Sequence, residues 1–263
     1  MKGILKELCN SSARRAEERQ RIVPLAEVKR AAAEVSLSPF AFERALEKEG
    51  LSLICEVKKA SPSKGIIDPS FDYMSIANDY VTGGADCISC LTEPTAFLGS
   101  EQIFREIRAA VNIPMLRKDF TVSAYQVYEA RAMGADAVLL ICSALDDGRL
   151  KEFFGVAESL EMTALFECRS EEEIARARQI GARVIGVNNR NLSDFSVDFS
   201  TSERLRSAAG RDILFVAESG ISSPEDAKKL AAFGADACLV GEYLMRSPDR
   251  AQAVRNLKEC SRG

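Results

Sequence analysis

Residues 134–141, Gly134-Ala135-Asp136-Ala137-Val138-Leu139-Leu140-Ile141, decide the fold. They follow an amphipathic stretch, Ala124–Met133. A glycine that closes a helix supplies a left-handed C-cap, and the short apolar run behind it has the length of a strand buried on both faces. The unit recurs as Gly84-Ala85-Asp86 before CISCL, Gly181-Ala182-Arg183 before VIGV and Gly234-Ala235-Asp236 before ACLV. The glycines stand 50, 47 and 53 residues apart, and each spacing holds two strand–helix units. Strands are expected over Ser52–Val57, Asp86–Leu91, Pro114–Arg117, Asp136–Ile141, Thr163–Phe166, Val184–Val187, Ile213–Ala217 and Ala237–Val240. Helical patterns separate them at Ser100–Ala110, Ala124–Met133, Ser170–Ile180 and Pro224–Phe233. The last has Ser223 as N-cap and Pro224 at the first helical position. Apolar strands alternating with helices imply a parallel sheet covered by helices. Eight units within 263 residues imply a closed (β/α)₈ TIM barrel, a fold of about 250 residues.

Residues 1–50 fall outside the repeat. They read as helices over Ile4–Arg21 and Leu25–Ala33, then a connector with Pro39 leading to Phe42–Glu47. The expectation is an N-terminal helical extension packed on a barrel of residues 51–263, one domain overall. Arg14, Arg15, Glu17, Glu18, Arg19 and Arg21 alternate in sign, which favours a solvated face over a binding patch.

The bulk composition removes several classes. The net charge of −4 lacks the basic excess of a nucleic-acid protein. No run reaches the eighteen or so apolar residues of a membrane helix, and Met1 to Leu8 leads into charge rather than a signal-peptide core. The cytoplasm is the expected location. The eight cysteines lie scattered, several inside apolar runs, and are expected to be buried and reduced. Cys87 and Cys90 stand three apart on a predicted strand, so they point to opposite faces and cannot share an ion. The chain contains no histidine, so acid–base work falls to Lys, Glu, Asp, Tyr or Cys.

In a barrel the chemistry sits at the C-terminal ends of the strands. Here those ends are charged. Glu56 and Lys58 share one face of the first strand. The third strand ends in Arg117-Lys118-Asp119-Phe120, the fifth in Glu167 and the sixth in Asn188-Asn189-Arg190. The seventh ends in Glu218-Ser219-Gly220 and the eighth in Gly241-Glu242. Any one of these could be an exposed charge at a strand edge. Together they aim lysines and carboxylates at a common mouth. Barrels often hold phosphate on the loops after strands seven and eight. Ser219-Gly220 and Gly241, with a short helical run after it and Arg190 nearby, fit that use.

Six segments then match a known pattern: EVKKASPS (residues 56–63), LTE (91–93), LRKDF (116–120), GADAVLLI (134–141), GVNNRNL (186–192) and AESGI (217–221). The chain resembles the indole-3-glycerol phosphate synthase family over nearly its whole length, including the N-terminal extension. The resemblance implies ring closure, decarboxylation and dehydration of 1-(2-carboxyphenylamino)-1-deoxyribulose 5-phosphate, without metal or organic cofactor, in tryptophan biosynthesis. It implies Lys118 as general acid and Glu167 as base. Lys58, partnered by Glu56, would bind the substrate carboxylate or phosphate and donate a proton during dehydration, and Asn188 and Glu218 would orient the sugar hydroxyls. Ser61, Arg190, Ser219, Gly220 and Gly241 would cradle the phosphate. Pro62, Phe97, Phe120 and Leu139 would wall the anthranilate ring. Association with other enzymes of the tryptophan pathway is a further implication.

Three positions depart from the family's usual pattern: Thr121-Val122-Ser123-Ala124 after RKDF, Cys168-Arg169 where Val-His is common, and Glu242 after Gly241. A carboxylate beside a phosphate is unfavourable unless it points away, so Glu242 is left out of the expected site. Competing readings are a related sugar-phosphate isomerase with a cysteine at the first strand's end, a Schiff-base aldolase using Lys118, and a barrel without catalysis. Cys55 has the parity opposite to Glu56 and Lys58, which argues against the first.

Overall fold

The computed structural model describes residues 3–190 and 197–261. Asn191 and Leu192 of the GVNNRNL segment lie outside the described residues. The barrel strands are β1 (Ser52–Val57), β2 (Cys87–Leu91), β3 (Met115–Lys118), β4 (Ala137–Ile141), β5 (Thr163–Cys168), β6 (Val184–Asn188), β7 (Leu214–Glu218) and β8 (Ala237–Val240). All pair in parallel, and β8 returns to β1 to close the barrel. Four predicted strands extend further: β3 to Lys118, β5 to Cys168, β6 to Asn188 and β7 to Glu218. The charged residue is therefore held by the ladder rather than by a loop. Asn188 likewise ends β6 and pairs in register with Glu218.

The period of two sorts the strand residues. Ile54, Cys87, Leu116, Leu139, Leu165, Val184, Val216 and Leu239 fill the interior of the barrel. Leu53, Cys55, Ile88, Cys90, Val138, Phe166, Phe215 and Cys238 pack outward against the helices. Cys87 and Cys90 thus take opposite faces, as their spacing requires, and Cys55 faces away from the lumen. The cysteines at 9, 55, 87, 90, 142, 168 and 238 are buried, and all eight are free.

The glycine repeat does what its sequence asks. Gly84, Gly134, Gly181 and Gly234 all have φ between 87° and 107°. The aspartate behind three of them has a use that the pattern alone did not reveal. Asp86, Asp136 and Asp236 accept the backbone N–H of Leu53, Met115 and Phe215 at 2.9, 2.8 and 2.7 Å. Each carboxylate thereby ties its own strand to the start of the preceding one, by a bond of the stronger, charge-assisted kind. Arg183 replaces the aspartate in the fourth copy and instead grips Glu43 and Glu158.

Helices α1 (Ile4–Ile22), α2 (Leu25–Glu34) and α3 (Ala41–Leu46) precede the barrel. The fully buried Phe42 on α3 joins Ala45, Leu46 and the lumen residues in one cluster and so closes the N-terminal end. Ser52 Oγ donates to Ala45 O at 3.2 Å, fixing that plug. On α1, Leu5 and Cys9 belong to the same interior cluster, with Phe120 and Val122 against it. Barrel helices α4 (Tyr73–Gly83), α5 (Glu101–Ala110), α6 (Ala124–Ala132), α7 (Asp147–Ser159), α8 (Glu171–Ile180), α9 (Ser200–Ala209) and α10 (Pro224–Ala232) cover the strands. They are followed by α11 (Glu242–Arg246) and α12 (Arg250–Ser261). Ser100 and Ser170 prove to be N-caps rather than first helical residues, and Ser223 forms the expected cap, completed by Asp226. Among the described residues no helix is long and apolar enough to cross a membrane.

The arginine run on α1 departs from its expected solvated face. Arg14, Glu17, Glu18 and Arg21 are exposed, but Arg15 and Arg19 turn inward. Arg15 pairs with buried Asp119 at 3.1 Å, and Arg19 with Glu129 at 2.9 Å and with Glu101. The fully buried Arg117 pairs with Glu129 at 3.0 Å, Glu101 at 3.5 Å and Asp119 at 3.6 Å. Three guanidinium groups and three carboxylates thus fasten α1 beside the end of β3. The alternation in sign reflects a helix whose charged stripe meets partners on the barrel.

Candidate active site

At the C-terminal ends of the strands lies a cavity of about 750 Å³. All fifteen expected residues line it: Glu56, Lys58, Ser61, Pro62, Phe97, Lys118, Phe120, Leu139, Glu167, Asn188, Arg190, Glu218, Ser219, Gly220 and Gly241. The strand register brings the charges together. Leu91 pairs with Lys118, Ile141 with Glu167, Glu167 with Gly186, and Asn188 with Glu218. These positions share the lumen parity of Leu116, Leu165, Val184 and Val216, one step nearer the mouth.

Lys118 Nζ lies 3.5 Å from Glu218 Oε2 and 3.8 Å from Glu167 Oε2. Lys58 Nζ donates to Glu56 Oε1 at 2.6 Å. Burial alone would lower the Lys118 ammonium, but Glu218, then Glu167 and Glu56 outweigh it and hold it above its ordinary value. Burial pushes the Glu218 carboxyl up to about 7, with the carboxylates of Glu167 and Glu56 adding to it and Lys118 opposing. Burial also opposes the Glu56 carboxylate, yet Lys58 and Lys118 hold it below the usual range. The cluster therefore contains a lysine held as the ammonium and a carboxyl that titrates near neutrality. Glu218, expected only to orient hydroxyls, is the carboxylate nearest Lys118.

Two glycines leave room for this cluster. A Cβ on Gly186 would stand 2.1 Å from Glu218 Oε1. One on Gly241 would stand 2.6 Å from Glu56 Oε1 and 2.9 Å from Lys58 Nζ. Gly241, expected to approach a phosphate, also gives space to the Glu56–Lys58 pair.

The mouth carries the anion-binding features. Ser219 and Gly220 are both left-handed, with φ of 65° and 88°. Ala60–Ser61 and Gly65–Ile66 form a short antiparallel ladder that carries Ser61, Pro62, Ser63 and Lys64 over the opening. Asn188 Oδ1 accepts the Arg190 backbone N–H at 3.0 Å. Glu242 does not point away. Its carboxylate lines the cavity and lies 3.2 Å from Arg246, 3.5 Å from Lys64 and 4.0 Å from Arg190. Three cations thus surround this one carboxylate. The apolar wall assembles as expected, with the Phe97 and Phe120 ring centroids 6.3 Å apart.

Sequence reasoning missed Ile4 and Leu8, which line the cavity from α1. Nothing in the local pattern marks them, because their position depends on how α1 docks. It also missed Asp119 as a hub: Asp119 accepts from Thr92 Oγ1 at 2.8 Å besides Arg15. Lying next to Lys118 in RKDF was its one signal.

The indole-3-glycerol phosphate synthase family model matches residues 5–257. The chain belongs to the indole-3-glycerol phosphate synthase family. A synthase of that name from Ruminiclostridium cellulolyticum is 47% identical over 256 residues, covering 97% of this chain and 98% of the relative. The synthase from Lactiplantibacillus plantarum is 48% identical over 263 residues, covering 99% and 100%. Among solved structures, the tryptophan synthase alpha chain from Legionella pneumophila superposes with a TM-score of 0.63 at 15% identity, covering 86% of this chain and 98% of that one. A 3-hexulose-6-phosphate synthase gives 0.64 at 16% identity, covering 80% and 99%. Those two likenesses concern the barrel fold alone. Lys58 of EVKKASPS and Lys118 of RKDF both line one cavity.

Proposed function

We propose that the chain closes the indole ring of 1-(2-carboxyphenylamino)-1-deoxyribulose 5-phosphate, releasing CO₂ and water to give indole-3-glycerol phosphate. The observation that carries this reading is the Lys118 ammonium held between Glu167 and Glu218 beneath an apolar wall. Ring closure needs an acid at the ketone oxygen as the aromatic carbon attacks. Lys118, kept charged by its neighbours, supplies that proton. The ring carbon then carries both the carboxylate and the new bond, with the positive charge on nitrogen. Loss of CO₂ returns the electron pair toward that nitrogen, and walls such as Phe97, Phe120 and Leu139 favour it by offering the carboxylate little hydration. Loss of CO₂ restores the benzene ring; dehydration then expels the hydroxyl as water with a proton from Lys58, and Glu167 takes a proton from the methylene carbon beside the nitrogen, which completes the aromatic five-membered ring. Lys58, oriented by Glu56, positions the substrate carboxylate. Asn188 and Glu218 meet the ribulose hydroxyls, and Arg190, Ser61, Ser219, Gly220 and Gly241 meet the phosphate.

A Schiff-base aldolase would need Lys118 as a neutral amine, which its three carboxylate neighbours oppose. The isomerase alternative would need a lumen-facing cysteine on β1, and Cys55 packs outward. We place the reaction in the cytoplasm and in contact with other enzymes of the tryptophan pathway, on the strength of the biosynthetic role. The function is tested by mixing purified protein with the substrate and following indole fluorescence. No signal above buffer at micromolar enzyme would remove it.

A further inference from the structure

We infer that Arg169 is a positioning residue for the base: it holds one oxygen of Glu167 so that the other faces Lys118 and the substrate. The inference rests on the reading of Glu167 as the base. Arg169 Nη2 donates to Glu167 Oε1 at 3.2 Å, while Glu167 Oε2 lies 3.8 Å from Lys118 Nζ. The two oxygens therefore have different partners. A glutamate's terminal torsion is broad and roughly two-fold, so an ion pair at 3.8 Å does not by itself select one oxygen. A directed hydrogen bond from a planar guanidinium does.

Arg169 is itself fixed. It stands just before Ser170, the N-cap of α8, and its backbone N–H donates to Glu173 Oε2 at 2.8 Å. The Glu173 amide in turn donates to Ser170 Oγ at 3.2 Å. The start of α8 thus sets where the guanidinium reaches back. Arg169 does not line the cavity, whereas Glu167 does. It acts on the substrate only through Glu167.

The charges give a second reason. Glu56, Glu167 and Glu218 face Lys58 and Lys118 in the cluster, three carboxyl groups to two ammoniums. Lys118 loses its charge when it gives up its proton. Arginine stays protonated throughout. Arg169 therefore keeps a cation on Glu167 at the moment its other partner is discharged.

The test compares Arg169→Gln, Arg169→Lys and Arg169→Ala with Glu167→Gln by steady-state kinetics on the same substrate. Loss of a base's orientation removes part of a contribution of about 10²–10⁴-fold, so Arg169→Gln should lower kcat by about ten-fold or more. KM should stay within about two-fold, because no substrate contact is removed. Arg169→Lys keeps the charge without the planar fork and should recover only part of the loss. Millimolar guanidinium should partly restore Arg169→Ala, since the side chain is about a quarter exposed and its site can be reached from solvent. Wild-type kcat in Arg169→Gln, or an effect confined to KM, overturns the positioning role. So does a folded Arg169→Ala that guanidinium leaves unchanged, and this arm stands even where Arg169→Gln fails to fold. Wild-type turnover in Glu167→Gln would instead remove the base reading itself. The two failures are thus told apart.

Discussion

Replacing Gly186 with alanine puts one methyl group into the centre of the charge cluster. The new Cβ would lie 2.1 Å from Glu218 Oε1 and 3.2 Å from both Glu218 Cδ and Leu165 Cδ1. Real Cβ contacts do not fall below 3.0 Å. The carboxylate must therefore withdraw by roughly 1 Å, and a close-packed interior offers it little room. That movement disturbs the 3.5 Å pair with Lys118. A 1 Å misplacement of a reacting group costs about 10²-fold, or about 2.7 kcal/mol of barrier. Backbone stability moves the other way, since alanine in a strand gains about 0.5–1 kcal/mol over glycine. The expected result is a folded variant with kcat down about a hundred-fold by indole fluorescence and a thermal midpoint close to the parent's. In a Glu218→Ala background the methyl meets only Leu165 Cδ1, at 3.2 Å, so the two losses should not add. Turnover within about three-fold of the parent in Gly186→Ala, or full additivity with Glu218→Ala, would refute the reasoning.

Other expectations follow from the same geometry. Lys118→Ala should abolish turnover while substrate binding, followed by fluorescence titration, survives; normal turnover would contradict the acid role. Arg190→Ala should mainly raise KM, and Glu242→Gln should lower it by releasing Lys64, Arg190 and Arg246 to the phosphate; an unchanged KM in both variants would count against a phosphate site there. Glu218 has its folded value raised from 4.5 to about 7, so its contribution to stability is fully present below pH 4.5 and is lost as pH rises through about 7. Glu218→Gln should therefore gain on the parent between pH 5 and 8 in urea denaturation, by at most about 3 kcal/mol, and a flat difference would argue against a raised carboxyl. Arg117→Met leaves the buried Asp119 and Glu129 carboxylates short of a partner and should destabilise by about 3–5 kcal/mol, visible as a lowered thermal midpoint.

Much of the site was legible because a parallel barrel converts parity and register into position. Once Glu56 and Lys58 lie two apart on a strand, their shared face follows from the pleat. Once strands close in order, Lys118, Glu167, Asn188 and Glu218 converge. Glu242 shows the converse. Its neighbours Lys64 and Arg190 come from other strand loops, and Arg246 from the next helical turn, so the sequence showed a lone carboxylate where the fold makes a charged cluster.

By itself the sequence determined the barrel, its glycine caps, the strand faces and the candidate lysines and carboxylates, because these depend on local periodicity and on motifs a few residues long. Only the tertiary structure decided which carboxylate stands nearest Lys118, that Arg169 reaches back onto Glu167, and that Arg15 and Arg19 are half-buried and paired with carboxylates of the barrel rather than part of a solvated face. It also decided that α1 supplies Ile4 and Leu8 to the cavity wall, and that the aspartates of the glycine repeat tie neighbouring strands together. Apart from Arg169 on Glu167, these are pairings across tens of residues, set by distance and by which charges must share a dry interior, and no local pattern encodes them.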